Sequence, residues 1–349
     1  MFIRIVTLTL FFWAFGAFAN SKSAAPCWFV SPANPNITGF IGAASPFSAM
    51  PNGSKYASRK RALAKMAIFY NWSLSTKDLN NVKTSRVDLS NGKQVAFSEP
   101  YVNDNALYSY VYLNTIKNKK YLAANRQCKS ALCDFKACSP AWLCQDQYPS
   151  LLGVSQLTAS PAKQLFEAGH NAQQIFKLTK ESHVQVDTKR LVSTGKWQDW
   201  AFTQERSEVE AIGSASPLLN THLCLTESYL FARFIDPNQD TALHKPFAEW
   251  LIQPSTKESY GVVGHFSGLT ADGKLSTAIN LAIKDGLKEL ARIKEISIDN
   301  TYRLKSGDGL YSFSSTFENT STTVRAKLMD VRVEEQNERL IINTWLLEN

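Results

Sequence analysis

Trp250-Leu-Ile-Gln-Pro254, then Tyr260-Gly-Val-Val-Gly264, then a helix-spaced series of Leu275, Ile279, Ala282, Leu290 and Ile293 form a block whose pattern occurs three times in the chain. Gly153 of Leu151-Leu-Gly153 lies 111 residues before Gly264, and Gly42 of Gly39-Phe-Ile-Gly42 lies 111 residues before Gly153. A tryptophan stands 11 to 14 residues ahead of each glycine: Trp28, Trp142 and Trp250. An alanine-rich amphipathic segment follows each one. A unit of about 110 residues is large enough to bury a core of its own.

The order of signals within the units agrees. Ala62, Leu63, Met66 and Tyr70 recur at helical spacing in the first, and Leu165, Ala168, Ala172, Ile175 and Phe176 in the second. Ser160-Pro161 predicts an N-cap followed by proline at the first helical position. Alternating segments follow: Leu107 to Leu113, Val184 to Asp187 with Tyr229 to Ile235, and Ile296 to Asp299 with Arg325 to Val333 and Arg339 to Leu347. Ser90-Asn-Gly92 predicts a hairpin turn. Helix and strands segregate, so the expected class is α+β, not a doubly wound sheet. The expected organisation is three tandem modules, 27–116, 142–240 and 246–349, each an antiparallel sheet covered by one main helix. A Cys-rich connector, 117–141, joins the first two.

With 44% hydrophobic and 19% charged residues the composition excludes a disordered chain. Arg4, the apolar run Ile5 to Phe15 and the small-x-small Ala17-Phe-Ala19 read as a signal peptide, residues 1–19, cleaved after Ala19. The run is shorter than the roughly 20 residues of a membrane span. The expected location is therefore periplasmic or secreted, with association at the outer membrane. Pro26 before Cys27 opposes lipidation there. Export predicts that Cys27, Cys128, Cys133, Cys138, Cys144 and Cys224 are oxidised, with the pairing open. The gaps of four, four and five residues between Cys128 and Cys144 lack the tight pair of a zinc site, so no metal and no other cofactor is expected.

The net charge of +8 suits anionic partners: a glycan, a lipid or an acidic protein face. Lys55, Arg59, Lys60, Arg61 and Lys65 cluster on the first helix and are the candidates for binding such a partner. Tyr108, Tyr110 and Tyr112 share one side of a strand and are candidates for an aromatic docking strip. Nucleic acid is not expected, since no basic-aromatic motif is present.

The Trp-x-x-x-Pro, aromatic-Gly-aliphatic-aliphatic-Gly and Ala-rich pattern resembles the twenty-kilodalton outer-membrane lipoprotein family, or Lpp-twenty. That family includes a component of a flagellar disk at the outer membrane. Trp250, Pro254, Tyr260, Gly261, Gly264, Ala278 and Ala282 carry the resemblance, with Trp28, Pro32, Gly39, Gly42, Ala62 and Leu63 in the first repeat. The second repeat keeps only Trp142 and Gly153 and is degenerate. The resemblance implies an envelope protein of small α+β modules. The chain is accordingly read as a structural or interaction component of an outer-membrane or flagellar-associated assembly, with envelope proteins as partners and association into a homo-oligomer. The resemblance supplies no catalytic residues.

One pattern looks enzymatic. Ser193-Thr-Gly-Lys196 fits Ser-x-x-Lys, and Lys305-Ser-Gly307 approaches the Lys-Thr-Gly of serine acyl-enzymes. Both read better as equivalent turns, because an acyl-enzyme serine opens a helix. His170, His183, His222, His244 and His265 form no helical metal pair. The chain is therefore read as non-catalytic. The alternatives are a periplasmic binding module for an anionic glycan or lipid, and a hydrolase without a recognisable motif.

Overall fold

The computed structural model describes residues 25–34, 37–103, 105–114, 128, 132–134, 139–143, 150–158, 160–194, 199–238, 245–295, 297–306, 310–336 and 339–349. The expected signal peptide, most of the connector, Cys138 and Cys144 lie outside them. The fold is mixed α+β, built from small antiparallel sheets and a few helices.

In the first unit, α1 (Cys27–Val30) and β1 (Ala33–Asn34) lead into β2 (Ile37–Ala44) and then α2 (Gly53–Phe69). A short α3 (Thr76–Asn80), the hairpin β3 (Arg86–Asp88) and β4 (Gln94–Phe97), then β5 (Tyr101–Val102) and β6 (Leu107–Leu113) complete it. The second unit holds β7 (Leu151–Gln156), α4 (Pro161–Lys180), β8 (Ser182–Thr194), β9 (Trp200–Ala211), β10 (Leu219–Leu225) and β11 (Tyr229–Ile235). The third holds α5 (Phe247–Ile252), β12 (Gly261–Gly268), α6 (Leu275–Lys294), β13 (Ser297–Ser306), β14 (Leu310–Val324), β15 (Ala326–Gln336) and β16 (Arg339–Glu348).

In each unit the strand that leads into the main helix pairs antiparallel with the last strand: β2 with β6, β7 with β11, and β12 with β16. The same three positions recur where helix meets strand. Gly42 faces Ser109 across the sheet, Gly153 faces Ala232, and Gly264 faces Thr344. Behind each glycine runs helix backbone. A Cβ would stand 2.0 Å from the Ser58 carbonyl oxygen at Gly42, 2.1 Å from that of Ala168 at Gly153 and 2.0 Å from that of Ala282 at Gly264. Glycine is required here for close approach, not for its conformational freedom. On α6, Leu275, Ala278, Ile279, Ala282, Ile283, Leu287, Leu290 and Ala291 are buried at three- and four-residue spacing. Each fully buried leucine or isoleucine contributes roughly 1.5–3 kcal/mol.

The Trp-x-x-x-Pro element also has a physical meaning. Trp28 stacks on Tyr110 at 5.4 Å, and Tyr110 donates from its hydroxyl to the Pro32 carbonyl at 2.8 Å. Trp250 stacks on Trp345 at 6.0 Å, and Trp345 Nε1 donates to the Pro254 carbonyl at 2.9 Å. Tyr110 and Trp345 each follow the small residue opposite the glycine. The stacked pair thus closes the other face of the strand that the helix covers. In the second unit Arg233 occupies that position, which accounts for the degenerate motif.

Two expectations differ from the structure. Ser160 makes no side-chain capping bond; Pro161 alone opens α4. More important, the second and third units do not each have a sheet to themselves. Their central strands join in one sheet of order β13-β14-β8-β9, with β14 paired to β8 from Ser312–Thr194 to Val324–Ser182. One apolar core also runs through all three units, from Trp28 and Ile41 through Leu165 and Phe231 to Ile283 and Leu346. Long Thr- and Ser-rich strands suit a half-exposed sheet, and their open edges pair with each other before they pair with solvent.

Candidate functional site

The five basic residues of α2 do not converge on one surface, which corrects their reading as an anion-binding cluster. Arg59 is 1% exposed. Its Nη1 donates to the carbonyl oxygens of Val82 at 3.0 Å and Thr84 at 2.9 Å, with Lys83 at 3.4 Å, and its guanidinium lies over Phe97 at 5.0 Å. It thereby supplies a donor to three carbonyls of the 82–84 loop, of which that of Val82 is in a buried residue. Arg61 donates to the Ala43 carbonyl at 2.8 Å, Lys55 approaches Glu99 at 3.5 Å, and Lys60 reaches Asn80 at 3.4 Å. Lys65 turns the other way, into an apolar groove, where burial pulls its ammonium down to about 8.

The tyrosine strip is corrected in the same way. Tyr108 and Tyr110 are buried under Phe29 and Trp28, at ring distances of 4.6 and 5.4 Å, and Tyr112 is half-buried beside Tyr110. Burial pushes the Tyr108 hydroxyl well above its ordinary pKa. Tyr108 and Tyr110 therefore pack the core and are not exposed for docking.

Among the described residues two disulfides are present, Cys27–Cys128 and Cys133–Cys224. They staple the connector to α1 on one side and to β10 on the other. A disulfide-bonded Cys27 has no thiol to carry a lipid. Oxidised cysteines, with no described helix long and apolar enough to cross a membrane, are compatible with an exported, disulfide-bonded protein. Among the described residues no group of three His, Cys, Asp or Glu is placed to hold a metal. Ser193 lies inside the β8–β9 ladder opposite Trp200 and starts no helix, unlike an acyl-enzyme serine.

His222 shows a local pH response. It sits opposite Arg233 in the β10–β11 ladder with the Trp142 ring at 5.5 Å. Burial, then the Arg233 charge, lowers its pKa to about 4. The native ring stays neutral while the unfolded one binds a proton near pH 6.5. Its contribution to stability is therefore complete above pH 6.5 and lost progressively down to pH 4. Allowing for partial exposure, the loss is about 2 kcal/mol. Thermal melts at pH 7 and pH 4 should show a fall in Tm that His222→Gln reduces. An equal fall in both proteins would refute this role.

The surface best suited to a partner was not singled out by sequence. It is the arm formed by β8, β9, β13 and β14. On the side facing α6, Val184 and Val186 are buried, and Glu205 accepts from Lys288 Nζ and Arg292 Nη2, both at 3.0 Å. Partial burial raises the Glu205 carboxyl, but those two cations outweigh it and hold the pKa below its usual value. Beyond this anchor, β8 continues from residue 187 to 194, about 25 Å of strand. Its opposite face carries Trp200, Phe202 and Phe317, which are 45%, 49% and 43% exposed. Phe202 lies across from Leu191, and Lys189 Nζ rests over the Phe317 ring at 5.4 Å. β9 and β13 are both edge strands. The sequence signal was Trp200 and Phe202 on one side of β9. It reads the same as an ordinary half-buried strand.

No family model matches the chain, and no curated protein or solved structure does.

Proposed function

We propose that this chain is an exported, non-catalytic component of the cell envelope that joins a protein assembly through its β-arm. The Lpp-twenty-like repeat pattern, the expected signal peptide and the disulfides support the envelope setting, and the flagellar or outer-membrane assembly is part of the same proposal. The observation that carries the reading is the aromatic patch of Trp200, Phe202 and Phe317. Their rings share one face of the sheet across three strands, and exposed aromatics on one face are characteristic of interaction sites, where a few such residues supply most of the binding energy. The open edge strands add backbone donors and acceptors that a partner strand can take up.

The double variant Phe202→Lys and Phe317→Ser tests this. Both side chains are substantially exposed, so the fold should keep its Tm within a few degrees. Association with gently extracted envelope complexes, read by sedimentation, should weaken by roughly thirtyfold, the equivalent of a 2 kcal/mol interface anchor. A wild-type protein that sediments as a free monomer, or a double variant that stays in the complex, would refute the proposal.

A further inference from the structure

Between α2 and α4 the surface opens into a groove of about 300 Å³, the lower end of the range for small-molecule sites. Phe40 of β2, Phe69 of α2 and Leu165 of α4 line it. Ile68 and Phe166 stand on its two lips, 73% and 66% exposed. Lys65 extends into this lining and has no hydrogen-bond or ion-pair partner among the described residues. The other ionisable side chain lining the groove is His170, stacked on Phe166 at 6.0 Å; no carboxylate lines it.

We propose that this groove binds a single-chain amphiphile with a terminal carboxylate, its acyl chain along the apolar walls and its carboxylate on Lys65. Lys65 is only partly buried, so its ammonium has water on one side and the apolar lining on the other, and a ligand that brings both a carboxylate and a chain satisfies both features at once. The pairing also accounts for the exposed apolar lips, which the chain would cover. A membrane surface fits less well, because adhesion to anionic lipid needs several basic residues in one plane, and the other cations of α2 are directed to Ala43, Glu99, Asn80 and the 82–84 loop. The site lies apart from the β-arm and does not depend on its function.

The test titrates decanoate, decan-1-ol and phosphatidylglycerol vesicles against wild type, Lys65→Met and Phe166→Asp, with circular dichroism confirming that each is folded. Decanoate should bind wild type roughly tenfold or more tighter than decan-1-ol, the size of a charge-assisted hydrogen bond. Lys65→Met should erase that preference while keeping alcohol binding. Phe166→Asp should weaken both ligands by about tenfold and serves alone if Lys65→Met does not fold. Ile252→Ser, at an exposed position outside the groove lining, should leave both ligand titrations unchanged. No decanoate binding, equal binding of acid and alcohol, a preference that survives Lys65→Met, or binding to vesicles without decanoate would each overturn the assignment.

Discussion

Gly264→Ala will destabilise the protein by about 3 kcal/mol or more, and Gly264→Val will leave no folded third unit. The added Cβ would lie 2.0 Å from the Ala282 carbonyl oxygen, 2.6 Å from the Gly286 nitrogen and 2.7 Å from Thr344 Oγ1. Two of those three atoms are backbone of a buried helix, so no side-chain rotation relieves them. The helix would have to withdraw from β12, and it carries Ile279, Ile283 and Leu287, all fully buried. Gly42→Ala and Gly153→Ala should behave alike, since Ser58, Ala62 and Ala168 present backbone atoms at 2.0 to 2.4 Å. Gly92→Ala is the control: φ is +77° and nothing lies within 4 Å of the added carbon, so only the conformational penalty of about 1 kcal/mol remains. Urea unfolding of the four alanine variants decides the matter. A Gly264→Ala midpoint equal to wild type, or a Gly92→Ala loss as large as the others, would contradict the packing account.

Removing the Cys133–Cys224 bridge should cost about 3–5 kcal/mol. The bridge closes a loop with a sequence separation of 91, and Cys27–Cys128 one of 101, lengths at which the entropy removed from the unfolded chain is large. The consequence should be unequal in place. Cys224 is 1% exposed inside β10, so Cys133→Ser with Cys224→Ala releases the connector and leaves a small apolar group in the core. Cys27→Ser with Cys128→Ser frees the turn that holds Trp28 on Tyr110. The second pair should therefore also quench or shift tryptophan fluorescence while the chain is still folded. Melting with and without reductant measures the total. Equal Tm in both conditions would show that the bridges do not contribute.

Much of the fold could be read from local pattern. Leu165, Ala168, Ala172, Ile175 and Phe176 announced α4, and the buried stripe of α6 announced itself in the same way, because a helix covering one sheet face must repeat its apolar residues at that spacing. The glycines were legible as close-approach points since no Gly-rich phosphate loop accompanied them. Arg59 was not legible. A guanidinium at the start of a helix looks solvated in sequence, and only the return of residues 82–84 supplies the three carbonyls that bury it. The tyrosines of β6 failed for a related reason: alternation shows that they share a face, not that Trp28 and Phe29 lie on it. The arm was missed because its defining event is non-local. Nothing near Val184 or Val186 says that Thr322 and Thr320 will pair with them.

That pairing governs the order in which the polypeptide can complete its fold. Asn319 meets Asp187 across a separation of 132 residues. Until Leu310–Val324 has emerged, β8 has β9 along one side and bare amides along the other. A chain made from its amino end would therefore hold an unfinished ribbon for roughly a hundred residues of synthesis, an invitation to cross-molecule pairing. Products ending before residue 310 should accumulate as aggregates, while full-length molecules close the gap themselves.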